Sequence, residues 1–306
     1  MLEVPISAIS RELKRLWEGD ASRTRASLIN FAVYSEAEES LAENTALVEA
    51  IAREHACRAL VIEARQGGDP SARAWLTAHC HLEGGKKTIC SEQLSFVLHG
   101  GSGSLLRNLV FAHLDSDLPL VFWWRGELSA AFEERLYRRI DRLVVDSFGW
   151  PDPGSAFGRI AEALASSKRM VFHDLAWTRA MPMRLALAKL FEDPAATAAA
   201  PALDRLAITH APGHRTSALM LAAWIARSLR WEPQGGGRFL RQEGGGAELS
   251  VTESADPSCH PVEAVALSGG GCEFALGKRA EARDLSPPKV AAAAPVPSIW
   301  HPASAA

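Results

Sequence analysis

Short, unbroken apolar runs alternate along the chain with longer stretches in which apolar residues recur every three or four positions. The first pattern marks strands buried on both faces; the second marks amphipathic helices. Leu28–Val33, Leu60–Ile62, Leu118–Trp124 and Leu143–Val145 are runs of the first kind. Helices are predicted over Ile9–Trp17, over Glu36–His55 with Ser35 as N-cap, over Leu105–Leu114, over Ser129–Arg139 capped by Ser129, and over Ala156–Ser166. Glu36, Glu38 and Glu39 fall in the first turn of the second helix, where carboxylates suit the dipole.

Residues 72–98 break the alternation. Arg73–Leu82 and Lys87–Phe96 read as an antiparallel hairpin turning at Gly84-Gly85. Farther on, Met170–Phe172 leads to a helix ending near Glu192 with Pro182 in its first turn, then a strand at Leu203–Thr209 and a helix at His214–Trp231. Gly235–Gly237 and Gly244–Gly246 mark turns between short strands at Arg238–Arg241 and Glu248–Thr252, with further strands over Val262–Leu267 and Cys272–Leu276. This order predicts an α/β protein. A three-layer, mostly parallel sheet forms an N-terminal domain (1–168), and a smaller C-terminal α/β domain follows (169–283). Residues 284–306 are rich in Pro and Ala, and a disordered tail is expected there.

Composition adds mainly exclusions. At 306 residues and 47% hydrophobic, the chain can bury one large or two ordinary cores. A net charge of -3 gives no support to nucleic-acid binding. No apolar run approaches the roughly 20 residues of a membrane helix. Met1–Pro5 lacks the basic-then-apolar order of an export signal, so a cytoplasmic protein is expected. The five cysteines show no C-x-x-C spacing, which predicts reduced, mostly buried thiols rather than a disulfide framework or a zinc ribbon.

In parallel sheets the carboxyl ends of the strands face a crevice where ligands or partners bind. Trp124 and Arg125 end one strand, Asp146 and Ser147 the next, and Asp174, Trp177 and Arg179 follow a third. These are the partner- or ligand-binding candidates; aromatic residues and arginine together favour a protein interface over a reaction centre. Gly101, Ser102 and Gly103 precede a helix and form the candidate phosphate loop. They fit no G-x-G-x-x-G, no P-loop and no G-x-S-x-G pattern. The first strand ends in Tyr34-Ser35-Glu36 without glycines, which argues against a nicotinamide site. His79 and His81 share a strand face with Cys80 opposite, and Cys90 lies across the hairpin; no nearby carboxylate completes a metal set. Nothing in their spacing joins Asp146, Ser147 and His173 into a hydrolytic triad, and turn formation accounts for them. No catalytic residue, metal or cofactor is therefore expected.

Leu118–Gly126, Asp141–Ser147 and Asp174–Arg179 with Leu190-Phe191 downstream resemble the OpcA family of glucose-6-phosphate dehydrogenase assembly proteins. Cys57–Val61 and Cys90–Gln93 are similar to the family pattern as well, and the likeness spans roughly Ser27 to Trp231. The resemblance implies a non-catalytic partner of glucose-6-phosphate dehydrogenase that promotes its active oligomer or activates it allosterically, in the oxidative pentose phosphate pathway. Pro182-Met183-Arg184 departs from the family, where a tryptophan is expected after the proline. The rival reading is a sugar-phosphate-binding enzyme or sensor that uses Arg125, Arg179 and the Gly100–Ser104 amides.

Overall fold

The computed structural model describes residues 2–18, 23–25, 27–83, 87–100, 103–167, 169–255 and 260–277. The expected tail at 284–306 lies outside them. The chain is mixed α/β with two sheets and divides into two compact units, Met1–Asp174 and Leu175–Ala306.

Among the described residues the first unit holds nine strands: β1 (Leu2–Val4), β2 (Arg23–Arg25), β3 (Ile29–Ser35), β4 (Cys57–Arg65), β5 (Ser71–Glu83), β6 (Lys87–His99), β7 (Leu120–Arg125), β8 (Arg142–Val145) and β9 (Val171–Asp174). Their order is β1-β5-β6-β4-β3-β7-β8-β9, with β2 beside β6. From β6 to β9 every pairing is parallel, and β1, β5 and β6 are joined antiparallel. The strand at 171–174, which the sequence placed in the second domain, pairs with β8 and so belongs to the first unit.

Strand alternation splits the apolar side chains between two faces. Ala32, Tyr34, Leu60, Ile62, Phe122, Trp124, Leu143 and Val145 point to one face. There they pack with α1 (Ile9–Glu18), α3 (Gly103–Ala112), α4 (Glu134–Tyr137) and α5 (Pro153–Ser166). Phe31, Val33, Cys57, Ala59 and Val61 point the other way, onto Val48 and Ala52 of α2 (Leu41–Glu54). Among the described residues α2 is the one helix of this unit on that second face.

Three helices are shorter than the periodicity predicts; the one expected over His214–Trp231 spans Arg215–Ser228, and Trp231 opens a strand instead. Glu39 takes a left-handed conformation (φ 58°), so α2 begins at Leu41 rather than Glu36. Ser129 starts a turn instead of a helix, its hydroxyl accepting from the Ala131 amide. Arg159 occupies the carbonyls of Leu128, Ser129 and Phe132 at 2.6–3.2 Å, which leaves only Glu134–Tyr137 helical.

The expectation of reduced cysteines is corrected at one pair: Cys80 and Cys90 are disulfide-bonded. They face each other directly across the antiparallel β5–β6 ladder with Cα atoms 4.1 Å apart, and C-x-x-C spacing is blind to such a pairing. Cys57 and Cys272 are free thiols.

The second unit contains α6 (Leu175–Arg179), α7 (Met181–Leu190), α8 (Pro194–Ala199), β10 (Arg205–His210), α9 (Arg215–Ser228), β11 (Trp231–Gly235), β12 (Arg238–Arg241), β13 (Gly246–Glu253), β14 (Val262–Gly269) and β15 (Cys272–Gly277). Its strands among the described residues run β11-β12-β13-β10-β14-β15, antiparallel except for β10 with β13. Leu221, Ala222, Ile225 and Ala226 of α9 close the core over Leu206, Ile208, Val265 and Leu267. Gly269 runs against Ala202–Asp204, where a Cβ would stand 2.5 Å from backbone atoms, so only glycine fits. Among the described residues no helix is long and apolar enough to cross a membrane.

Candidate functional site

The carboxyl ends of β4, β3, β7, β8 and β9 lie in that order along one rim of the first sheet. At the end of β4 Glu63 is fully buried. Its carboxylate accepts the Leu41 amide of α2 at 2.8 Å and pairs with Arg65 at 2.7 Å. An apolar strand thus delivers a negative charge to a helix N-terminus, where the dipole favours it. Next along the rim, Tyr34 at the end of β3 donates its hydroxyl to Glu36 at 2.6 Å, and Ser129 donates to the same oxygen. Burial, with the neighbouring Glu36 carboxylate, pushes the Tyr34 hydroxyl far above its ordinary pKa.

Alternation in β7 separates the two expected anchors. Trp124 is fully buried and donates its indole N–H to the Glu127 carbonyl at 3.1 Å, so it belongs to the core. Arg125 turns to the α2 face and donates to Glu43 at 2.9 Å and to the buried Asn44 amide oxygen. It also lies 5.6 Å from the centre of the Trp123 ring. Its guanidinium is therefore committed to holding α2. Asp146 accepts the Phe148 amide in a turn at 3.1 Å. Ser147 and Asp174 are buried together, with the Ser147 amide donating to Asp174 Oδ1 at 3.2 Å. The Arg125, Asp146, Ser147 and Asp174 cluster is one of turns and braces.

Trp177 and Arg179 belong to the second unit, in α6. The Arg184 guanidinium of α7 stacks 3.7 Å from the Trp177 ring centre and donates to the Trp177 carbonyl at 3.3 Å. Burial lowers the Arg184 pKa from its ordinary value. Of the phosphate-loop candidates, Gly101 and Ser102 lie outside the described residues and Gly103 is the first residue of α3. His79 bonds to Gln93 at 2.8 Å, and among the described residues no group of three or more His, Cys, Asp or Glu is placed to hold a metal.

Glu63, Asn44 and Glu43 are the rim residues that sequence reasoning missed. The signal for Glu63 was there: a carboxylate inside an apolar run needs a partner. At the opposite rim, the amino ends of β7 and β8, a cavity of about 440 Å³ is lined by Phe111, Asp115, Asp117, Arg139, Asp141 and Arg169 among others. Arg169 pairs with Asp141 there at 2.8 Å.

Residues 48–162 match the glucose-6-phosphate dehydrogenase subunit N-terminal domain, and residues 170–295 match the C-terminal domain of the same subunit. The OpcA protein of Nostoc punctiforme is 26% identical over 61% of this chain and 41% of its own length. That of Synechococcus elongatus is 26% identical over 74% of this chain and 51% of its own. Both are named as candidate OxPP cycle proteins, and the chain spans about half their length or less. A myo-inositol dehydrogenase from Corynebacterium glutamicum overlaps 81% of this chain and 75% of its own at 10% identity and a TM-score of 0.37, which carries no argument. Two domains of one subunit, matched in order along most of the residues, leave a single assignment: the chain belongs to the OpcA family.

Proposed function

We propose that the chain is a non-catalytic partner that binds glucose-6-phosphate dehydrogenase and promotes its active oligomer. The supporting observation is the ordered match of both family domains, each described as part of a glucose-6-phosphate dehydrogenase subunit. At the rim, Arg125 braces α2 through Asn44 and Glu43, and the Ser147 amide donates to Asp174. Trp177 and Arg179, outside those braces, are the docking candidates retained from the sequence. A partner of this kind works by linkage. It shifts an assembly equilibrium only by its differential affinity for the two states, so tenfold activation requires about 1.4 kcal/mol of preference.

The test is a paired assay. Purified chain added to the cognate dehydrogenase is expected to raise its rate and its sedimenting mass, with Trp177→Ala weakening both effects. A dehydrogenase unchanged in rate and mass, together with a thermal shift of this chain by a sugar phosphate, would favour a small-molecule sensor instead.

A further inference from the structure

The second face of the first sheet is only partly covered. Register places Val33, Trp123, Val144 and His173 in one row across β3, β7, β8 and β9. Phe31, Val121, Arg142 and Val171 form the row beside it. Phe31 and Val33 are buried under α2, but protection fades along each row. Val121, Trp123 and Val144 are half-buried, Arg142 and His173 are exposed, and Val171 is 46% exposed. Apolar strands in a mostly parallel sheet are ordinarily covered on both faces. The open strip runs from β7 to β9, two strand spacings or about 10 Å, which is the width of one helix.

The charge on the strip is one-sided. Arg142 Nη1 and His173 Nε2 lie 3.4 Å apart, so the guanidinium is matched with an imidazole. Among the described residues no carboxylate pairs with Arg142. Glu43, at the edge of α2, is already paired with Arg125. A basic spot within a partly exposed valine and tryptophan surface is complementary to an amphipathic helix with an acidic flank.

We propose that this strip, Trp123, Val144 and Val171 with Arg142 and His173, docks an acidic amphipathic helix of the dehydrogenase, laid beside α2 as the missing part of the outer layer. The proposal rests on the function proposed above and names the surface that serves it.

The experiment measures binding of the cognate dehydrogenase to the full chain and to Arg142→Glu and Val171→Glu. Both positions are exposed, so both variants are expected to keep the wild-type melting temperature and circular dichroism. Expected is wild-type binding that weakens as salt is raised, and a loss of roughly tenfold or more in affinity for each variant. Wild-type affinity in both variants would overturn the docking surface while leaving the partnership intact. No binding by the wild type would overturn the partnership and the surface together. A wild-type dimer that Val171→Glu converts to monomer would assign the strip to a second copy, and protection of residues 171–174 from hydrogen exchange that disappears on removing residues 278–306 would assign it to the chain's own end. Either result would overturn the proposal.

Discussion

The buried carboxylate of Glu63 accepts the backbone N–H of Leu41 at 2.8 Å, tying the end of β4 to the first turn of α2. Ser40, the residue before the helix, makes no side-chain cap of its own, so this long-range contact stands in for one. Glu63→Ala also strands Arg65 and is expected to cost about 1–3 kcal/mol, the usual penalty for orphaning buried polar groups. Urea unfolding with an unchanged midpoint would show that α2 does not depend on Glu63.

Arg125→Ala is expected to act on stability as well as on any interface. It leaves the Asn44 carbonyl buried without its donor, at about 1–3 kcal/mol. Thermal unfolding of this variant has to precede any reading of its binding, and a wild-type melting temperature would mean that the bond to Asn44 contributes nothing.

The bond between Cys80 and Cys90 closes a loop with a sequence separation of 10, for which chain-entropy reasoning gives about 2–3 kcal/mol. Unfolding midpoints measured with and without a reductant should differ accordingly. Alkylation before reduction should spare both cysteines in intact-mass analysis, and labelling of both would contradict the bond.

Burial pushes the Cys57 thiol up from 9.0 to about 11, because the thiolate is penalised away from water. The folded state therefore holds a proton that the unfolded state releases first. Its contribution is complete below pH 9 and is lost as pH rises from 9 to 11, so stability should decline over that window. Cys57→Ser or Cys57→Ala should flatten the decline, and an identical slope in the variants would assign it to other groups. At pH 8, Cys57 should react with a thiol reagent only after unfolding, whereas the partly exposed Cys272 reacts in the native protein.

Much of this architecture was legible because local pattern and burial agree. The apolar run at Leu60–Ile62 became a strand buried on both faces, the run at Leu118–Trp124 supplied β7 with one face buried and the other half-buried, and the two glycine triplets fell in or beside turns of the second sheet. The failures share a cause: a distant group overrides a local preference. Glu36, Glu38 and Glu39 suit a helix start, yet Tyr34, Ser129 and Glu63 draw the chain into a turn first. Ser129 has the composition of a cap, but Arg159, thirty residues on, takes the carbonyl a helix would use. At the rim, residue types identified Arg125 and Trp124 as outward anchors. The direction of each depended on strand phase, which residue type alone does not reveal, and it sent Trp124 inward and Arg125 to α2.

The placement of β10 bears on how the second unit is made. Both of its neighbours, β13 and β14, emerge from the ribosome only after α9 has been synthesised, so a nascent chain carries an unpaired central strand and a bare helix face for about forty residues. That interval is the stage at which the unit is most open to misassociation, and a translational pause or a holding chaperone acting there would change yield without altering the finished molecule.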